Sequence, residues 1–506
     1  MATAVRELMT APPITCAGDA PLAEAARLMQ RHDIGSVVVT DGPKVTGIVT
    51  ERDLLRSAAA HADPLMETVG LWMTSHPDVL GPDEEAGAAW SSLTHHHYRH
   101  LPVVDDGTLV GVVSIRDLLT VAQLRPAVEA GIDVPAGLEG VVVAETTVGD
   151  VRGEEGFYHY RQYSAVDLAA TRTLEDVWQL LFDGALPDRT SATEFAELVA
   201  SLRTLPPALV SVLPSLVSER AAPLDVLRTG VSLLGSELGW RPTHDIDGAE
   251  LRRQALHLCA MVPTLLTATH RLRQGLPPID PRPDLSYAAN YLWMLNGEEA
   301  PPEHVRAVEQ YLVLTIDHGF NASTFTARVI TSTGADLAAA VTGAVGALSG
   351  PLHGGAPSRA LDMLDDIGTA DRAEAWLREA VARGDRVMGF GHRVYKTDDP
   401  RSTFLRDVAR SLDGPLVALA EDVEQTAVAV LAELKPGRRL YTNVEFFAGV
   451  VMHTCGIPRD MFTPTFASSR TIGWATHVME QAADNRLIRP AARYVGTPPP
   501  QPVPAR

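Results

Sequence analysis

Residues 1 to about 125 carry one pattern twice, so this stretch has to fold as two copies of a single small unit. The first copy runs Leu8-Met9-Thr10, a helix-like stretch Leu22 to Arg31, the apolar strand Ser36 to Thr40, and Val45-Thr46-Gly47-Ile48-Val49-Thr50-Glu51-Arg52-Asp53-Leu54-Leu55. The second runs Trp72-Met73-Thr74, a helix-like stretch Glu85 to His96, the strand Leu101 to Asp105, and Leu109-Val110-Gly111-Val112-Val113-Ser114-Ile115-Arg116-Asp117-Leu118-Leu119. Short β-branched strands alternate with amphipathic helices in each. That implies two small α/β units, about 5–60 and 69–122, which cover each other's sheets. A Gly-x-x-Thr/Ser-x-x-Asp turn closes both copies, as Gly47, Thr50, Asp53 and Gly111, Ser114, Asp117. The same spacing serves two ends. A hydroxyl at a strand end and a carboxylate opening the next helix make a capping box. They also suit a ribose diol and its neighbouring phosphate, with Arg52 and Arg116 in reach of the phosphate.

From about residue 126 the pattern changes to long helical periodicities broken by Pro and Gly, including Thr171 to Leu181, Thr193 to Leu202, Leu251 to Arg273 and Glu303 to Thr315. This part is expected to be mostly α. The chain of 506 residues is too long for one core, so two to four structural units are expected. A formal net charge of −20 argues against a nucleic-acid surface. Cys16, Cys259 and Cys455 are too few and too scattered for a disulfide framework or a zinc site. The N-terminus shows no secretory pattern and no apolar run is long enough to span a bilayer, so a cytoplasmic protein is expected. His95, His96, His97 and His100 lack partners at metal-binding spacing and read as a surface helix, so no metal is expected. The proline-rich end, 496–506, is expected to be disordered.

Six segments in the second part follow one another in a fixed order. They are Asp317-His318 to Arg328, Ser349-Gly350-Pro351-Leu352-His353-Gly354-Gly355, Met388-Gly389-Phe390-Gly391-His392-Arg393-Val394-Tyr395-Lys396, Asp399-Pro400-Arg401, Asn443-Val444-Glu445 and Phe466 to Arg470. Glycines flank His353 and His392, which lets the backbone come close to a ligand at both points. These segments closely resemble the signature segments of the citrate synthase family. So do Gly137 to Thr146, Tyr160-Arg161 through Pro187, and Asp284 to Asn290, so the resemblance spans residues 130 to 495. The repeated N-terminal pair resembles a tandem CBS module. The expected architecture is therefore multidomain: an α/β CBS pair at 1–125, then a mostly α citrate-synthase-like fold at 126–495. In it a small domain at about 354–455 interrupts a large helical one.

The resemblance also implies roles. Glu445 would take the base position, His353 would donate to the thioester oxygen, and His392 would polarise the ketone and deliver a proton to it. His318, His392, Arg401, Arg470 and Arg489 would bind oxaloacetate, whose two carboxylates suit planar guanidinium forks. Arg489 matches an arginine that crosses into the neighbouring subunit's site, which implies a homodimer. Gly389, Phe390, Gly391, Arg393 and Lys396 would accept coenzyme A, and Thr50, Asp53, Ser114 and Asp117 a nucleotide. Acetyl-CoA would be a substrate rather than a cofactor, and an adenine nucleotide a regulatory ligand. Two other readings share these residues: a 2-methylcitrate synthase using propionyl-CoA, and a sensor that binds metabolites without turning them over. One departure stands out. Most of the family has Asp where this chain has Glu445, one methylene longer, and proton abstraction is sensitive to such a displacement.

Overall fold

The computed structural model describes residues 4–32, 34–60, 62–95, 98–114, 117–118, 134–138, 140–218, 221–351, 353, 356–391, 395, 397–436 and 440–496. Two compact units emerge, Met1–Val141 with Pro490–Arg506, and Val142–Arg489. The expected disordered tail falls, apart from Gly496, outside the described residues.

In the first unit the order is β1 (Thr15–Cys16), α1 (Leu22–His32), β2 (Ser36–Asp41), β3 (Lys44–Thr50), α2 (Glu51–Ala59), α3 (Val69–Trp72), β4 (Thr74–Ser75), α4 (Ala86–His95), β5 (His100–Asp105) and β6 (Thr108–Ser114). The hairpins β2–β3 and β5–β6 are antiparallel and match in register, each with an irregularity at the same place, Val39/Thr40 and Val103/Val104. Each repeat takes its last piece from the other's sequence. Thr74 and Ser75 pair with Ile48 and Gly47, while Thr10 bridges to Val112. Val69 is buried in the core with Val37, Val39 and Val49, and Val5 in the core with Leu101, Val103 and Val113. Gly47 and Gly111 mark the two crossings. A Cβ on Gly47 would lie 2.3 Å from Met73 Sδ, and one on Gly111 2.5 Å from Met9 Sδ. The sequence repeats are thus contiguous, but the packed units are interlaced.

The second unit opens with an antiparallel sheet of β7 (Gly149–Arg152), β8 (Phe157–Tyr160) and β9 (Tyr163–Ser164). Helices then follow almost without interruption: α5 (Ala165–Thr171), α6 (Leu174–Asp183), α7 (Arg189–Ser201), α8 (Pro207–Leu216), α9 (Pro223–Glu237), α10 (Gly248–Arg273), α11 (Tyr287–Asn296), α12 (Pro302–Thr315), α13 (Ala322–Ser332), α14 (Leu337–Leu348), α15 (Ala356–Ile367), α16 (Ala373–Arg383), α17 (Pro400–Leu412), α18 (Pro415–Leu434), α19 (Val444–Thr454) and α20 (Phe462–Ala483). The helix expected from Thr171 starts instead at Leu174. Thr173 stops the preceding segment and caps the new one, accepting from Asp176 N at 3.1 Å while Asp176 accepts from Thr173 N.

Helices α10 and α20 pack together and are buried through most of their length, as expected of helices enclosed on all sides. Helix α20 buries polar side chains as well as apolar ones, including Ser468, Ser469, Arg470, Thr471, Thr476 and His477. Each such group needs a partner, and several of those partners lie at the end of α12 and on the turn that follows it. No helix of the described residues is long and apolar enough to cross a membrane.

Candidate active site

The close approach of α20 to the end of α12 organises the site. A Cβ on Gly473 would lie 2.1 Å from Ile316 O, so only glycine lets the helix touch the backbone there. Residues three before and four after it share its face. Arg470 Nε consequently donates to Thr315 O at 2.9 Å, and His477 Nε2 stands 3.2 Å from Asp317 Oδ1.

His318 follows directly. Asp317 Oδ2 accepts from Gly319 N at 3.2 Å, and Tyr160 Oη donates to Asp317 O at 3.1 Å. The peptides on both sides of His318 are thereby pinned. Its ring lies between Tyr158 and Tyr395, centroids 5.5 Å away in both cases, and its Nε2 is 2.9 Å from Tyr395 Oη. The guanidinium of Arg401 rests against the same two rings, at 5.9 and 5.8 Å.

Arg401 is 4% exposed, and burial alone would lower its affinity for its proton. A two-pronged bond to Asp399, at 3.0 and 2.8 Å, more than offsets that and holds the group above its ordinary value. Asp399 is also the N-cap of α17, accepting from Arg401 N, and its Oδ2 accepts from Val444 N at 3.1 Å. One carboxylate therefore ties the start of α17 to the start of α19. Arg470 is 2% exposed and lies below its ordinary value because of that burial, partly countered by Asp317. Among the described residues no carboxylate pairs directly with it, and Phe466 covers its guanidinium at 4.5 Å.

Glu445 sits in the first turn of α19. Asn443 caps that helix, accepting from Glu445 N at 3.1 Å, so the Glu445 carboxylate is left without a capping duty. Burial pushes it up to about 7; Arg401 pulls it down and Asp399 adds to the rise. The segment 389–391 runs antiparallel to 441–443 through a Phe390–Thr442 bridge, with Gly391 N on Tyr441 O and Asn443 N on Gly389 O, both 2.8 Å. Gly389 has φ +80°, and a Cβ there would meet Phe446 Cβ at 2.8 Å. The glycine loop thus lies against the base of Glu445's helix.

His353 Nε2 lies 2.9 Å from Ser323 Oγ, which accepts from Trp474 Nε1 at 3.1 Å and lies 2.8 Å from Asn321 Oδ1. Burial first, then the nearby Arg470 charge, brings His353 down to about 4, so it is neutral at neutral pH.

His318, His353, Arg401, Glu445 and Arg470 therefore converge through shared partners. Arg489 does not join them in this chain: it is exposed beyond α20, next to Ile488, whose N–H donates to Ser332 Oγ. His392, Arg393 and Lys396 lie outside the described residues, as does Arg116. In the first unit Thr50 N and Oγ1 donate to Asp53 Oδ2, at 2.9 and 2.7 Å, and Ser114 N and Oγ donate to Asp117 Oδ2, at 2.8 and 2.7 Å. Both turns are built as capping boxes. Among the described residues no group of three or more His, Cys, Asp or Glu is placed to hold a metal ion. Sequence reasoning assigned no role to Ser323, Asp399 or His477, nor to Tyr158 under His318. The spacing of Arg470, Gly473 and His477 on one helix face was the available signal for His477.

Comparison with known proteins agrees with this fold. The family described as citrate synthase, C-terminal domain, matches residues 137–491, and the CBS domain matches 5–60 and 68–123. The chain is 39% identical over 368 residues to a citrate synthase of Haloferax volcanii, spanning 72% of this chain and 96% of that one. It is 41% identical over 367 residues to a citrate synthase of Mycolicibacterium smegmatis, spanning 72% and 95%. It is also 39% identical over 381 residues to a 2-methylcitrate synthase of Mycobacterium tuberculosis, spanning 74% and 94%. Among solved structures, citrate synthase from Thermoplasma acidophilum, in a ternary complex with carboxymethyl coenzyme A and oxaloacetate, superposes with a TM-score of 0.68 at 28% identity. That match covers 74% of this chain and 98% of the other.

Proposed function

Because this chain belongs to the citrate synthase family of acyltransferases, we propose that it condenses acetyl-CoA with oxaloacetate and water to give citrate and CoA. The observation that carries this reading is the convergence of a raised, uncapped carboxylate, a neutral imidazole and two buried guanidinium groups on one turn-and-helix framework. Glu445 removes a proton from the acetyl methyl group. A carboxyl pushed up to about 7 is a stronger base than an ordinary one and is still substantially ionised at neutral pH. His353 stabilises the developing enolate by donating a ring N–H; donation from Nδ1 calls for the Ser323 hydroxyl to turn from Asn321 Oδ1, 2.8 Å away, to His353 Nε2. A neutral ring keeps that donor without adding a charge. His318, Arg401 and Arg470 hold the dicarboxylate, and His392 polarises its ketone. Arg489 of the partner subunit completes the set, so the working unit is a homodimer. The loop Gly389-Phe390-Gly391 receives coenzyme A together with Arg393 and Lys396.

The helical part divides into a large domain and a small one at about 354–455 that closes over the substrates. Thr50, Asp53, Ser114 and Asp117 bind an adenine nucleotide that regulates the enzyme in the cytoplasm. Relatives of the same identity carry both names, citrate and 2-methylcitrate synthase. One methyl group in a pocket is worth only about 1–3 kcal/mol. Oxaloacetate-dependent release of free CoA, followed with a thiol reagent, tests the reading. Release from acetyl-CoA with a higher kcat/KM than from propionyl-CoA supports citrate; the reverse order makes it a 2-methylcitrate synthase, and no release from either supports the sensor. A chain lacking residues 1–125 that keeps the full response to AMP, ADP or ATP would remove the regulatory role from the first unit.

A further inference from the structure

The roles above leave a buried polar chain unused. Asp317 and His477 are each 1% exposed and Arg328 is 2% exposed. Arg328 Nε and Nη2 approach His477 Nδ1 at 3.2 and 2.9 Å. A guanidinium has no lone pair, so Nδ1 is the acceptor and the ring carries its proton on Nε2. That proton points at Asp317 Oδ1, 3.2 Å away. Arg328 is itself fixed by Glu480, by Gln481 Oε1 at 3.2 Å and by Thr146 Oγ1 at 3.4 Å. Glu480 in turn accepts from Thr146 Oγ1, and from Thr147 N and Oγ1. Asp317 stays below its ordinary value although burial pushes it up, because His477, Arg470 and the Gly319 N–H together outweigh burial. The chain runs from the loop at Thr146–Thr147 through the interior to the residue beside His318.

We propose that His477 is a positioning residue for oxaloacetate recognition: locked in one tautomer by Arg328, it holds Asp317, and through Asp317 the backbone that aims His318. The proposal rests on the reading of His318 as an oxaloacetate ligand. His477 touches no substrate. Its effect is on where His318 stands, and a partner that orients a ligand-binding group is worth a substantial fraction of that group's contribution. A purely structural role would lower stability and disturb both substrates alike. A positioning role falls on one substrate.

Steady-state kinetics of four variants of the full chain separate these. His477→Phe removes both ring hydrogen bonds and is expected to raise KM for oxaloacetate about tenfold or more, leaving KM for the acyl-CoA within about twofold. His477→Gln keeps an N–H at the Nε2 position and is expected to recover most of the loss. Unchanged KM for oxaloacetate in His477→Phe, a Gln variant as impaired as the Phe variant, or equal rises in both KM values would each overturn the proposal. If the Phe variant does not fold, Asp317→Asn keeps the shape and removes the anion; a normal KM for oxaloacetate there overturns it equally. His318→Gln keeps the two failures apart. A normal KM for oxaloacetate in that variant sinks the reading of His318 itself. A raised KM there beside a normal one in His477→Phe sinks only the positioning role.

Discussion

Both units place a carboxylate in the first turn of a helix that follows an extended segment, and they use it in opposite ways. In the first unit Asp53 turns back and accepts both the N–H and the hydroxyl of Thr50, which caps its helix, and Asp117 accepts the same two groups of Ser114. In the second unit Asn443 performs the capping, and Glu445, one position closer to the cap, accepts no hydrogen bond from any described side chain. The difference teaches that a carboxylate at a helix start is defined by what caps the helix. Where the carboxylate itself completes the cap, it is held in place by local bonds. Where another residue has taken that task, burial outweighs the pull of Arg401 and makes a base of the carboxylate.

Removing the poised carboxylate should have the largest effect. Glu445→Gln is expected to lower kcat by about a thousandfold or more, while calorimetry finds oxaloacetate affinity nearly unchanged. A mutant that turns over at the wild-type rate would place the base elsewhere and dissolve the contrast. The next effect is on stability. The fold raises Glu445 to about 7 from an ordinary carboxyl value, so the protonated form is the one it favours. Stability from this group is full below about 4.5 and is lost as pH rises through about 7. Between pH 5 and pH 8 wild type is therefore expected to lose up to about 3 kcal/mol relative to Glu445→Gln in urea unfolding. Equal pH dependence in the two proteins would mean that the carboxyl is not buried as described. The smallest effect belongs to the first unit. Asp53→Ala or Asp117→Ala is expected to cost about 1 kcal/mol of that unit's stability, with CoA release unaffected in the absence of nucleotide. Loss of catalysis in either would give these aspartates the second unit's kind of role.

The sequence pattern disclosed the repeat, the change to helices and the residues that meet around His318, because each rests on local spacing or on a motif. It could not disclose the interlacing of the repeats. Strand pairs such as Thr10–Val112 join residues far apart in sequence, and no local periodicity records which copy a Met-Thr segment covers. The roles of Asp399, Ser323 and His477 were hidden for a related reason. Asp399 reads as an ordinary helix cap, and only the arrival of Val444 N and the Arg401 fork gives it a second use. The helix expected from Thr171 begins three residues later, at Leu174, because the capping box of Thr173 and Asp176 sets its start, which the apolar period alone does not mark.

The interlaced first unit has a consequence for how the chain is made. Val5 and Met9 leave the ribosome before the rest of the module, yet the buried residues they pack against run from Leu80 to Leu118, so they wait for most of the module to be synthesised. Val69 and Met73 likewise close a core begun at Cys16. Neither half can finish alone, and contacts that span so much chain form slowly. The module is therefore expected to appear during translation as one late, all-or-none event.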